Sequence, residues 1–139
     1  MDDPYNLKRF VDAQTPVYAR VVDELRQGRK QSHWMWFIFP QIEGLGSSAM
    51  ANKFAIASRG EAQAYLDHPT LGSRLRECTR LVTAVPERSI EEILGYPDDL
   101  KFHSSMTLFA AVAADGKEFA DALDKFYGGK ADPATLERL

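Results

Sequence analysis

The sequence predicts a single all-α, multihelical domain, and three observations carry that prediction. At 139 residues the chain suits one hydrophobic core. Apolar residues recur at one-turn spacing in segment after segment, most clearly at Leu71, Leu75, Cys78, Leu81, Val82 and Val85, with Arg74, Arg76, Glu77 and Arg80 on other faces. No stretch alternates convincingly in the period-two manner of a half-buried strand, and no repeat or low-complexity segment interrupts the pattern.

Taken in order, Tyr5 to Gln14 places Leu7, Phe10 and Val11 on one helical face, with Asn6 as its predicted cap. Thr15-Pro16 then predicts a second start, Thr15 capping and Pro16 at the first helical position, with Val17, Tyr18, Val21, Val22 and Leu25 inside and Gly28 as the stop. Ala49 to Ser58 is a short helix by this reading, and Gly60 follows it. Glu61 to His68 carries an Ala62, Tyr65, Leu66 stripe and ends at Pro69. Thr70 is the predicted cap of the long helix from Leu71 to Val85, which Pro86 closes. Ser89 with Glu91 and Glu92 opens a helix through Leu94, acidic residues being favoured by the dipole of a first turn. Pro97-Asp98-Asp99 opens another to about Ala114, with Leu100, Met106, Leu108, Phe109 and Val112 inside. Lys117 to Tyr127 is amphipathic and stops at Gly128-Gly129, and the tail from Asp132 is a capped short helix.

Composition narrows the function classes. Hydrophobic content of 45% and charged content of 27% are those of a globular protein rather than a disordered one. A formal charge of −3 argues against broad nucleic-acid binding, which needs a basic face to displace counterions; only Arg26, Arg29 and Lys30 form a local basic group. Cys78 is the one cysteine, so no intramolecular disulfide and no cysteine-based zinc site can form. The amino terminus lacks the pattern of a secretory signal and no run is long enough to span a membrane, so a cytoplasmic protein is expected, monomeric or a weak homodimer. No cofactor is implied.

The least ordinary stretch is Ser32-His33-Trp34-Met35-Trp36-Phe37-Ile38-Phe39-Pro40-Gln41, followed by Gly44-Leu45-Gly46-Ser47-Ser48. Both tryptophans, two phenylalanines and one of three histidines fall within seven consecutive positions. The apolar run from Trp34 to Phe39 predicts extended or 3₁₀ structure, because Pro40 disfavours the α region at Phe39. Its rings either stack on a flat ligand, with His33 supplying a polar edge, or pin the core.

Four other groups carry candidate chemistry. Gln41 with Gly44 and Gly46 can present backbone N–H groups to a phosphate, although neither a dinucleotide fingerprint nor a P-loop is present. Asp99, Lys101, His103, Ser104 and Ser105 bring polar groups into an apolar helix. Asp99 and His103 share a face at i, i+4 while the serines point elsewhere, so a local catalytic triad is disfavoured and an Asp99–His103 pair is the simpler reading. His33, His68 and His103 are too dispersed to predict a metal site. His68 reads as a cap or cation at a helix end. Arg76 and Arg80 share a face that either grips an anion or forms surface ion pairs. Cys78 lies on an apolar face and reads as core.

The strings SHWMWFIFPQIEGLGSS, NLKRF with Gln14, EAQAYLDHPTLGSRLRE and DDLKFHSSMTLF together resemble the bacterial family known as domain of unknown function 1810, over about residues 6 to 126. That resemblance implies a multihelical fold but no reaction; some members carry a calpastatin label for which these residues offer no support. The order of features is also distantly similar to the NADAR superfamily, helical proteins associated with ADP-ribose and NAD chemistry and N-glycosidic bond hydrolysis. That similarity implies a ligand of nucleotide type, expected beside Lys30, Trp34, Trp36, Gln41, Gly44, Gly46, Lys101 and Ser104. His33, Asp99 and His103 are the acid/base candidates. The competing expectation is a non-catalytic protein-interaction module in which the tryptophan motif is structural.

Overall fold

The computed structural model describes residues 3–139 and contains ten helices in that span. These are α1 (Lys8–Gln14), α2 (Tyr18–Arg26), α3 (Met35–Ile38), α4 (Ala49–Lys53), α5 (Arg59–Asp67), α6 (Pro69–Thr83), α7 (Ile90–Leu94), α8 (Asp98–Val112), α9 (Lys117–Tyr127) and α10 (Pro133–Glu137). A lone bridge pairs Ile42 with Ile56, and no strand forms among the described residues. The fold is all-α and forms one domain.

Two long helices organise the packing. On α6, Leu71, Leu75, Cys78 and Val82 are buried along the predicted stripe, and this face meets α2, α5 and α9. On α8, burial runs without a break from Ser104 to Phe109, as expected of a helix enclosed on several sides. Its neighbours are α5, α7, α9 and α10. Rings stitch these elements together. Phe10 meets Tyr65 at 5.1 Å between centroids, Tyr65 meets Phe109 at 5.4 Å, and Phe109 meets Phe119 at 5.9 Å, which links α1, α5, α8 and α9 in one aromatic chain. Phe39 packs edge-on against Phe102 at 4.9 Å, tying the central motif to α8.

Several helix ends differ from the sequence expectations. Asn6 does not cap α1; the Asp3 carboxylate accepts from the N–H groups of Leu7 at 2.8 Å and Lys8 at 3.0 Å. Thr15 and Pro16 do not open α2, which begins at Tyr18 without a side-chain cap. Thr70 does not cap α6. His68 does, its Nδ1 accepting from the N–H groups of Thr70 and Leu71, with Pro69 as the first helical residue. One residue therefore ends α5 and starts α6, with a ring nitrogen as the capping acceptor. The Ser89 expectation holds as a full capping box with Glu92.

The central run departs most. Met35–Ile38 is a single α-turn rather than extended or 3₁₀ structure, and the effect of Pro40 reaches only Phe39, which leaves the helix at φ −125°, ψ 73°. The helix expected over Ala49 to Ser58 stops at Lys53. Leu100, expected inside, is 52% exposed.

Candidate functional site

The central motif divides into a buried half and a cleft-lining half. Glu24, on the inner face of α2, is buried and gathers the chain that comes after it. Its Oε1 accepts from the N–H of Gln31 at 2.7 Å, the N–H of Ser32 at 3.0 Å and the indole N–H of Trp34 at 3.0 Å, while Oε2 accepts from the Ser32 hydroxyl. Burial raises this carboxyl, but the Ser32 hydroxyl, the two backbone N–H groups and the Trp34 indole outweigh burial and hold it below the usual glutamate range. Trp34 is 1% exposed. Its ring belongs to the core.

Beyond Pro40 the backbone makes an excursion closed at its base by two bonds, Glu43 N–H to the Ile56 carbonyl at 2.8 Å and Ile56 N–H to the Gln41 carbonyl at 2.9 Å. Glycine is required at two points of it. Gly44 has φ +98° with the Arg138 guanidinium against it, and a Cβ on Gly46 would fall 2.7 Å from the Ala51 Cβ. The loop thus folds down onto α4, whose start Ser48 caps by accepting from Ala51 N–H at 3.1 Å. From Gly44 to Ser48 no backbone N–H donates to a backbone acceptor among the described residues.

This loop forms one wall of a cleft of about 440 Å³, within the size range of small-molecule sites. Gln41, Gly46, Ser47 and Ser48 stand on one side, Lys101 and Ser104 of α8 on another, and Asp132 at the start of α10 closes it. Lys101 Nζ lies 5.3 Å from the centroid of the Trp36 ring and 3.6 Å from Asp98 Oδ1. The other Asp98 oxygen is held at 2.9 Å by Lys30, which itself sits 5.2 Å from the Trp34 centroid. Two ammonium groups share one carboxylate, so the cluster keeps a net positive charge beside the cleft. Asp132 Oδ2 accepts from the Ser104 hydroxyl at 2.8 Å and the Thr135 hydroxyl at 2.6 Å. Burial raises the Asp132 carboxyl, yet the Thr135 and Ser104 hydroxyls, with the His103 charge, hold it below the usual aspartate range. It is ionised at neutral pH.

Of the candidate ligand residues, the structure brings Gln41, Gly46, Lys101 and Ser104 together around this cleft. Trp36 and Gly44 line a narrow crevice beneath the same loop, with Gln41 and Gly46. Lys30 acts one step away, through Asp98. Trp34 lies in the core rather than at the cleft. The acid/base candidates are not gathered there. His33 is exposed. His103 does not pair with Asp99; its Nε2 lies 2.7 Å from the Lys130 carbonyl and its ring stacks on Tyr127 at 4.0 Å. The Tyr127 hydroxyl donates to the Asp99 carbonyl at 2.6 Å, and Asp99 Oδ1 is buried without a partner among the described residues. Ser105 Oγ is likewise buried and unpartnered, so the Asp-His-Ser string spreads over different faces of α8.

Other groups resolve as structural. Arg76 at 2.7 Å and Arg80 at 2.9 Å both bind Glu118, and Lys117 binds Asp121 at 2.8 Å. A groove of about 350 Å³ near these residues is lined by Arg80, Lys117, Glu118 and Asp121, all engaged in these ion pairs, together with Asp115. Cys78 is buried, and burial pushes its thiol up to about 12. Among the described residues, no group of three or more His, Cys, Asp or Glu side chains converges as a metal site, and no helix is long and apolar enough to cross a membrane.

Asp132 and Asp98 join the site without having been singled out by the sequence reading, whereas Ser47 and Ser48 belong to the stretch it marks as least ordinary. For the serines the signal was present in the Gly-x-Gly-Ser-Ser loop. For Asp132 it was absent, because the Asp-Pro pair advertises only a helix start, and its approach to Ser104 is a tertiary event across 28 positions.

The fold and cleft define a multihelical domain with a polar, cation-bearing pocket under a glycine loop. The chain belongs to the family described as Protein of unknown function (DUF1810), whose model matches residues 4–139, a longer reach than the motifs alone indicated. It is also similar to the conserved hypothetical protein Rv1873 from Mycobacterium tuberculosis, known from a crystal structure. The two are 59% identical, the match covering 99% of this chain and 98% of that one with a TM-score of 0.97. A comparison with curated proteins found no match.

Proposed function

We propose that the chain binds a phosphate-bearing small molecule of nucleotide type, in the class of NAD or ADP-ribose, in the cleft between the 44–48 loop and α8. One observation carries this reading. Lys101 lines the same cleft as Leu45 to Ser48, whose backbone N–H groups have no backbone acceptor among the described residues. A lysine and a row of free N–H donors are complementary to a phosphate oxygen cluster. Gln41 offers an amide for a base or sugar edge, and the exposed side of Leu100 offers apolar contact.

A thermal-shift panel of ADP-ribose, NAD, AMP and adenosine tests it. A ligand at about 100 times its Kd stabilises by about 2.7 kcal/mol, so phosphorylated members raise Tm, adenosine does so far less, and Lys101→Ala loses the response. Equal responses from Lys101→Ala and the unaltered chain to every phosphorylated member overturn it.

A second reading, a non-catalytic protein-interaction surface, draws on the exposed Met50, Tyr96, Leu100 and Leu136. Met50, Leu100 and Leu136 stand on α4, α8 and α10, each of which lines the cleft, and Tyr96 adjoins the lining residue Pro97. A surface of that kind gives no response to any nucleotide.

A further inference from the structure

Among the described residues, Asp132 is the one ionised carboxylate that lines the cleft, and its geometry is fixed from both sides. Ser104 on α8 and Thr135 on α10 both donate to Oδ2, and the Asp132 backbone N–H donates to the Thr107 hydroxyl at 2.9 Å. Neither side-chain hydroxyl lands on Oδ1. An ionised carboxylate only accepts hydrogen bonds, so the ligand group it meets must be a donor. It also repels a phosphate, which confines the anionic end of a ligand to the Lys101 side.

The spacing along α8 puts the two ends on one wall of the cleft. Lys101 and Ser104 are three residues apart and share a face, which places the Asp132 carboxylate about one helical turn, roughly 5 Å, along the wall from the base of the lysine. The cation is turned toward Asp98 and the carboxylate is held at Ser104, so the two groups stand at separate points of one wall. Resting on the proposed reading of the cleft, we infer that Asp132 is its specificity-determining residue, with Oδ1 accepting from the ribose hydroxyls of a ribonucleotide whose phosphate lies at Lys101. A hydroxyl that donates to a fixed carboxylate makes a charge-assisted bond, and removing it leaves the carboxylate short of a partner in a partly enclosed site.

The test is calorimetric titration of the full chain with AMP, 2′-deoxy-AMP and inorganic phosphate, repeated on Asp132→Asn. AMP is expected to bind at least tenfold more tightly than 2′-deoxy-AMP, with that ratio collapsing toward one in Asp132→Asn while inorganic phosphate binding is retained. Equal affinities for AMP and 2′-deoxy-AMP in the unaltered chain overturn the assignment to Asp132 but leave the phosphate cleft standing. Absence of binding by all three ligands overturns both. The AMP to 2′-deoxy-AMP ratio of the unaltered chain decides the matter even where Asp132→Asn folds poorly.

Discussion

The indole N–H of Trp34 donates to the Glu24 carboxylate at 3.0 Å, and this bond separates the roles of two tryptophans that stand two positions apart. Trp34 is enclosed in the core, whereas Trp36 is half-buried with the Lys101 ammonium over its ring. Trp34→Ala is expected to destabilise by about 3–5 kcal/mol, as a large buried ring does when deleted. Trp36→Ala is expected to cost about 1–2 kcal/mol and to weaken the response to phosphorylated ligands. Urea denaturation of both variants checks this; similar losses for the two would contradict the division.

Glu24 itself is the hub of the segment, since four donors end on it. Glu24→Gln keeps the shape but removes the charge and replaces one acceptor with a donor facing other donors. A loss of about 2–3 kcal/mol is expected, the scale of charged hydrogen bonds in a buried setting, measured by equilibrium unfolding. A change below about 0.5 kcal/mol would show that the segment is held by packing alone.

The same carboxylate sets an acid limit. Its folded pKa is depressed from the ordinary glutamate value of 4.5, so the unfolded chain takes up this proton first as pH falls. The stabilisation is fully present above the unfolded value and is lost as pH drops through the folded one; Asp132 contributes with the same sign. Tm is therefore expected to fall steeply below about pH 4.5, and Glu24→Gln is expected to flatten that fall. Parallel pH profiles for the two proteins would remove Glu24 from the account.

Arg9 has a matching role on α1. Its guanidinium donates to the carbonyls of Tyr5, Asn6, Lys53 and Ala55 and to Glu61, fastening α1 to the turn before α5. Lysine keeps the charge but not the fork, so Arg9→Lys is expected to cost about 2–3 kcal/mol. Retention of full stability in that variant would contradict the assignment of all five N–H groups.

The helical stripes were legible because period and breakers act locally. Leu71 to Val82 on α6 and Phe119 to Leu123 on α9 bury as their spacing requires. Three caps were misassigned at Asn6, Thr15 and Thr70, because several polar residues crowd each helix start and the choice among them depends on backbone direction. The polar constellation was half legible. Gln41, Gly46, Lys101 and Ser104 meet at one cleft, while Glu24 and Asp132 gave no signal, since a carboxylate anchored by tertiary contacts is recognisable only by donors that arrive from elsewhere in the fold. Leu100 misled for the opposite reason, its helical position being open where the cleft interrupts the packing of α8.

The central claim is that the 44–48 loop and Lys101 hold the phosphate of a nucleotide-type ligand. A titration of the ¹⁵N-labelled chain with ADP-ribose, followed through its backbone amide resonances, tests it most directly. Saturable shifts concentrated at Gly44, Gly46, Ser47 and Ser48 are expected, with Lys101→Ala weakening them. Amide shifts absent from this loop at saturating ligand, or unchanged by Lys101→Ala, would contradict it.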